Sequence, residues 1–213
     1  MRVLVTAGGT REPIDDVRVI ANTSTGRLGA RIADAAAAAG HEVLLLHGVH
    51  SARPASPAVR CEAFDASADL ARLLERHVPA ADAVLHAAAV SDFVPERAPG
   101  KLSSDLPELL LRLRRAPKLV DGLRALQPAA LLVGFKLASG VDEASLVALA
   151  QELLRRARLD WVVANAAGRV GEDDHEALLV SEQGVAQRCR GKEAIARALV
   201  GLLARPARAA GAT

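Results

Sequence analysis

Short apolar runs alternate with longer stretches of helical period through the first half of the chain, the pattern of a parallel sheet covered by helices. Residues 2–7 (RVLVTA) form an almost unbroken apolar run of strand length. A long polar loop follows, and residues 26–39 then carry apolar side chains at helical spacing, stopped by Gly40. The pattern next predicts a strand over 42–47, a loop around Pro54 and Pro57, and a helix over 66–77. A strand over 82–86 runs out into Ala87, Ala88 and Ala89. From 92 to about 105 the periodicity fails: DFVPERAPGKLSSD mixes proline, glycine and both signs of charge, and reads as a mobile loop or flap. It is not a domain linker, because apolar pattern resumes at once in LPELLLRLRRAP. Beyond it come a strand over 131–135, a helix over 142–158, a strand over 160–164, a hairpin of 177–181 with 185–189, and a helix over 191–204. Residues 205–213 read as a disordered tail. The expected fold is one three-layer α/β domain over 1–204, Rossmann-like with a mostly parallel sheet, carrying a flap and a small dimerisation portion from the second half.

Composition narrows the function classes. With 213 residues, 51% hydrophobic and 24% charged, the chain has the balance of a water-soluble domain. Its net charge of +2 comes from 27 basic and 25 acidic residues scattered along the sequence, so no basic footprint for nucleic acid or an anionic membrane is expected. Cys61 and Cys189 stand far apart in poor ligand contexts and read as buried free thiols, which fits a reducing cytoplasm. The first strand begins at Arg2, so no signal peptide is expected, and no apolar run has the length of a membrane span. Six dispersed histidines contain no H-x-x-x-H pair, so no structural metal site is expected.

The densest chemistry lies in residues 6–29, TAGGTREPIDDVRVIANTSTGRLG. A glycine turn at the C-terminal edge of a strand leads through a loop to Gly26-x-x-Gly29, which opens a helix. Exposed backbone N–H groups and the helix dipole make such an end a phosphate site. There Gly26 would let a phosphate approach the backbone, Gly29 would let helix and sheet pack closely, and Ser24 could serve as N-cap or phosphate contact. Glycine spacing alone describes an ordinary strand–loop–helix junction equally well. Absences sharpen the choice. No G-x-G-x-x-G follows the first strand directly, and Gly100-Lys101 is followed by Leu102 rather than Ser or Thr. The chain has no tyrosine, which removes the Tyr-x-x-x-Lys proton donor of short-chain dehydrogenases. From the residues alone, a nucleotide-dependent enzyme, another Rossmann-type NAD(P)-dependent oxidoreductase and a non-catalytic nucleotide-binding regulator all remain open.

The whole 6–29 stretch resembles the signature of the phosphopantothenoylcysteine synthetases, and AAAVSDF (87–93), GKLSS (100–104) and VGFKL (133–137) follow in the family's order. DWVVAN (160–165) and the Gly191-Lys192-Glu193 helix start fit as well, so the similarity spans residues 3–203. The Ala116-Pro117-Lys118 run and the serines after Lys101 resemble the stand-alone branch of the family, which lacks the fused flavin-dependent decarboxylase. The resemblance implies a ligase that joins 4′-phosphopantothenate to L-cysteine through an acyl-nucleotide, using CTP, or else ATP, with Mg²⁺, in a cytoplasmic homodimer. A separate decarboxylase would act next in the pathway. It assigns Asn22 and Lys101 catalytic roles, Asn22 holding the acyl-nucleotide and Lys101 offsetting charge at the reacting phosphorus. Gly9, Ser24, Gly26, Gly29, Ala88, Asp92, Pro117, Lys118, Phe135 and Asn165 fall on nucleotide-binding positions. Arg18, Asn22, Ala88, Ala89 and Asp92 fall on phosphopantothenate-binding ones, Arg18 reaching a neighbouring subunit's site. No protein metal ligand is implied. Taken singly, Asn22 is a turn residue, Lys101 and Arg18 are surface cations, Asp92 is a strand-end carboxylate and Phe135 is core. The chain departs from the family at Ala166, where aspartate is common, and at Leu153 and Ala157, which align with lysines of fused members.

Overall fold

The near-continuous apolar run 2–7 becomes the central strand of a doubly wound sheet. The computed structural model describes residues 1–103, 107–166 and 176–204. The tail expected at 205–213, and Ser104 and Asp105 at the end of the expected flap, lie outside the described residues. In chain order the elements are β1 (Arg2–Ala7), β2 (Arg11–Pro13), β3 (Val19–Ala21), α1 (Arg27–Ala38), β4 (Glu42–Gly48), β5 (Arg60–Phe64), α2 (Ser67–His77), β6 (Ala83–His86), β7 (Phe93–Pro95), β8 (Leu113–Arg115) and α3 (Leu119–Leu126). β9 (Leu131–Ala138), α4 (Glu143–Arg156), β10 (Trp161–Ala166), β11 (Glu176–Ser181), β12 (Gly184–Arg190) and α5 (Lys192–Leu203) complete them.

The main sheet has eight strands in the order β5-β4-β1-β6-β9-β10-β11-β12. β5 through β10 are parallel, and β11 and β12 are antiparallel additions. The period of two along each strand sorts side chains into two cores. Val3 and Val5 share one core with Ile32 of α1 and Leu199 of α5. Leu4 between them shares the other with Leu70 of α2, Leu123 of α3 and Leu146 of α4. These are the three layers the alternation predicts. Local signals set the helix ends: Asp142 accepts a 2.8 Å bond from the Ser145 N–H at the start of α4, and Gly40 closes α1 at a φ of +83°. At Gly29 a Cβ would lie 2.5 Å from the Cβ of Ala7, so glycine is what allows α1 to rest directly on β1. Among the described residues no helix is long and apolar enough to cross a membrane.

Several elements correct the sequence reading. β5 replaces part of the loop expected after Pro57; as an edge strand of sequence RCEAF it pairs on one side only and shows little apolar pattern. The polar loop after β1 folds into the small β2–β3 hairpin, and the expected flap begins as β7, paired antiparallel with β8. α3 is an additional short helix with Gly122 inside it. Both cysteines are free, as expected, but only Cys189 is buried; Cys61 on β5 is half-buried.

Candidate functional site

The strand order reverses between β1 and β6, and in doubly wound sheets the crevice beyond such a reversal is where ligands bind. Here the two loops leaving β1 and β6 are bound to each other. The Ala89 N–H donates to the Gly8 carbonyl at 2.8 Å and the Thr10 N–H to the Ala89 carbonyl at 3.1 Å. The Thr6 Oγ1 accepts from the Ala88 N–H at 3.0 Å, and the Thr10 Oγ1 accepts from the Ser91 N–H at 3.0 Å. Onto this ladder comes Asn22, directly after β3. Its side-chain Nδ2 donates to the Ala89 carbonyl at 2.7 Å, and its own N–H to the Thr10 carbonyl at 3.3 Å. A Cβ on Gly9 would stand 2.5 Å from the Asn22 carbonyl oxygen, so only glycine lets the two segments cross. Gly9, Asn22, Ala88 and Ala89 are thus brought together at one junction.

The neighbouring phosphate-type end is built by α1. Its N-cap is Gly26 in the left-handed region at φ +73°, and no side chain caps the helix. The N-cap reading of Ser24 is therefore corrected: Ser24 is exposed in the extended loop two residues earlier. The first turn carries no acidic residue, which leaves the positive end of the helix dipole uncancelled. Ser51, after β4, carries no signal of its own in the sequence. A Cβ at Gly8 would meet its Oγ at 1.6 Å, and one at Gly26 would meet its Cβ at 2.7 Å. The two glycines form the hollow that Ser51 fills, and no single-residue pattern advertises that pairing.

The flap is anchored. Ala98 N–H donates to the Ile14 carbonyl at 2.8 Å and Asp16 N–H to the Gly100 carbonyl at 3.0 Å, which lays residues 97–102 along the β2–β3 turn. Lys101 is exposed within this docked segment. Asp92, exposed before β7, forms an ion pair with Lys118 and accepts the Ala116 N–H at 2.9 Å on its carbonyl. Asp92 and Lys118, with Pro117 between the two contacts, are therefore brought together. Arg18 is less free than a lone surface cation: its Nη1 bonds Asp15 at 2.7 Å and the Leu102 carbonyl at 3.1 Å, while its side chain keeps 34% exposure. Burial would raise the Asp15 carboxyl, but the N–H groups of Val17, Leu102 and Arg18 and the Arg18 charge outweigh it and hold the group at about 2.

Phe135 and Asn165 sit toward the C-terminal edge of the sheet, on β9 and β10. The register places Phe135 one residue past the His86–Gly134 pair. It is half-buried against the α1–α5 core. Asn165 is 5% exposed, and its Nδ2 donates to the Glu176 carbonyl at 3.1 Å, pinning the start of β11. Leu153 on the inner face of α4 and Ala157 at its C-cap are buried in the core, so the lysines they align with have no counterpart at those points of the surface. Of the two arginines between them, Arg156 bonds Asp121 at 3.1 Å and Arg155 is exposed.

Beneath the crevice, His86 Nδ1 and Thr6 Oγ1 are 3.0 Å apart, and burial pushes the imidazole down to about 4. The unfolded chain therefore binds a proton that the folded one refuses between pH 6.5 and 4. Stability is complete above that window and falls as pH drops through it. We expect unfolding titrations to lose ~2.5 kcal/mol between pH 7 and 4.5. A His86→Gln variant flattens that dependence, and an unchanged slope in the variant would take the effect away from His86.

No group of three or more His, Cys, Asp or Glu side chains converges among the described residues, so these residues do not build a cation cage. Residues 1–206 match the family model of the DNA/pantothenate metabolism flavoprotein C-terminal domain. The chain is 40% identical over 182 residues to the coenzyme A biosynthesis bifunctional protein CoaBC of Thermococcus kodakarensis, a match covering 84% of this chain and 44% of that protein. The Methanocaldococcus jannaschii protein of the same name is 33% identical over 203 residues, covering 93% and 49%. The chain thus spans less than half the length of these relatives. It also superposes on the crystal structure of the DNA/pantothenate metabolism flavoprotein from Streptococcus pneumoniae with a TM-score of 0.90 at 30% identity, covering 95% of this chain and 98% of that one.

Proposed function

The chain belongs to the family of the DNA/pantothenate metabolism flavoprotein C-terminal domain, and on that basis we propose that it is a phosphopantothenate–cysteine ligase of coenzyme A biosynthesis. The observation that carries this reading is the junction at the strand-order reversal, where the Asn22 amide meets the Ala89 carbonyl. There the two most distinctive sequence blocks of the resemblance become one surface beside the open end of α1.

In the proposed reaction the carboxylate of 4′-phosphopantothenate attacks the α-phosphorus of CTP and pyrophosphate leaves. The cysteine amine then attacks the acyl carbon of the mixed anhydride; an amide forms and CMP departs with the former carboxylate oxygen. Both steps build negative charge at places where fixed donors stabilise it. Lys101 supplies a full positive charge beside the nucleotide phosphates. The Asn22 Nδ2 has a second hydrogen besides the one held by Ala89, and this one serves the carbonyl oxygen as cysteine attacks. Gly8 and Gly26 make room for Ser51, and Gly9 for Asn22, so the N–H groups offered to phosphate are those of the uncapped first turn of α1. Magnesium would arrive with the nucleotide and would offset phosphate charge beside Lys101. Asp92, Lys118 and Phe135 border the nucleotide end.

The exposed apolar side chains of Phe93, Leu110 and Leu113 around β7 and β8 favour a homodimer in which a second copy covers them. A cytoplasmic setting suits free thiols and nucleoside triphosphate alike. The test is pyrophosphate release with each component omitted in turn. We expect release to require phosphopantothenate together with a nucleoside triphosphate, CTP surpassing ATP. Preference for ATP overturns the nucleotide choice alone, whereas hydride transfer from NADPH to a carbonyl substrate overturns the ligase reading.

A further inference from the structure

One carboxylate beside the site takes no part in the chemistry above. The Asp15 side chain has no exposed surface, and its oxygens are divided between two segments of chain. Oδ1 accepts the Val17 N–H at 2.8 Å and the Arg18 N–H at 2.7 Å, which closes its own turn. Oδ2 accepts the Leu102 N–H at 3.1 Å and Arg18 Nη1 at 2.7 Å, and the same Nη1 reaches the Leu102 carbonyl at 3.1 Å. Leu102 is thereby gripped at both its N–H and its C=O, and it follows Lys101 directly.

We propose that Asp15 is the positioning residue for Lys101: with Arg18 as its bridge, it holds the Leu102 peptide so that the preceding ammonium is presented to the nucleotide phosphates. The proposal rests on the ligase reading for what Lys101 acts upon, while the grip itself is independent of it. Four N–H groups converge on this side chain, and only an ionised carboxylate offers acceptors to all of them. Asparagine can keep its oxygen toward Val17 and Arg18, preserving the turn. Its NH₂ then faces the Leu102 N–H and the guanidinium, donor against donor. Asp15→Asn therefore severs the flap contact selectively.

The experiment pairs amide hydrogen exchange and native-state trypsin cleavage with kinetics. In Asp15→Asn we expect the Leu102 amide to exchange faster and cleavage after Lys101 to rise, with the melting temperature lowered by a few degrees and the cooperative fold retained. The kcat for pyrophosphate release falls about tenfold, as a misplaced catalytic group requires, while the KM for cysteine is unchanged. Because Asp15 acts through Lys101, the Asp15→Asn/Lys101→Gln double variant is no slower than Lys101→Gln alone. Arg97→Ala, which breaks the exposed Arg97–Asp16 pair beside the same contact, alters none of these readouts. If Asp15→Asn does not fold, Arg18→Ala cuts the Leu102 carbonyl contact and carries the same exchange measurement. Unchanged Leu102 protection, or rate losses that multiply in the double variant, overturns the proposal. A wild-type protein that releases no pyrophosphate removes the ligase reading instead, and exchange and cleavage still decide whether Asp15 holds the Lys101 segment.

Discussion

Asn22→Asp continues to consume CTP in the presence of phosphopantothenate but forms the cysteine amide about 10²–10³-fold more slowly, the usual loss for one oxyanion donor. The substitution replaces an NH₂ that donates to the Ala89 carbonyl at 2.7 Å with an oxygen that has no hydrogen to give. The main-chain bond from Asn22 to Thr10 remains, so the loop keeps its register. The first half-reaction depends on charge at the phosphorus and survives; the second loses its donor. Acyl-cytidylate should therefore accumulate and be recoverable from quenched reactions. Lys101→Gln behaves differently, slowing nucleotide consumption and amide formation together, because its ammonium is assigned to the phosphate. Normal amide formation by either variant removes that residue from the catalytic set.

Mixing inactive Arg18→Ala and Asn22→Ala dimers should restore activity if Arg18 serves the neighbouring subunit's site. In a two-fold dimer, random exchange gives half heterodimers, each with one site that has both Asn22 and the partner's Arg18, so the ceiling is about a quarter of wild-type turnover, lowered by whatever Lys101 of that site loses with its own chain's Arg18 bridge. The Arg18 guanidinium commits one nitrogen within its own chain, to Asp15 and Leu102, and keeps 34% of the side chain exposed. That exposed part is what a dianionic phosphate from a second copy would meet. Tagged chains resolved by native mass spectrometry establish that exchange has occurred. Heterodimers that form without regaining activity confine Arg18 to its own subunit, and a monomer at assay concentration ends the dimer proposal.

The strands that could be read from the sequence are those buried on both faces, such as RVLVTA in β1, because a two-sided core demands an unbroken apolar run. β5 could not, because its edge position leaves Arg60 exposed and requires little apolar character. The three-residue strands of the β2–β3 and β7–β8 pairs are too short to show a period and exist through their partners. At the junction of the β1 and β6 loops, Gly9, Asn22, Ala88 and Ala89 are candidates that the family motif names, and the structure shows only that they meet. Ser51 and Asp15 were not legible in the sequence: a serine in a loop and one acid of an Asp-Asp pair acquire meaning only from Gly8, Gly26 and Leu102, which lie far away along the chain.

The bonds that tie the loop after β1 to the loop after β6 join segments about eighty residues apart, from Thr6 with His86 to Thr10 with Ser91. Such contacts have high contact order, and the entropy of closing the intervening chain must be met before any of them forms. Helices α1 and α2 can begin to form locally, yet neither contains a complete ligand-binding surface. Catalytic competence is therefore a late, cooperative event, and activity regained during refolding acts as a clock for the registration of β1 against β6.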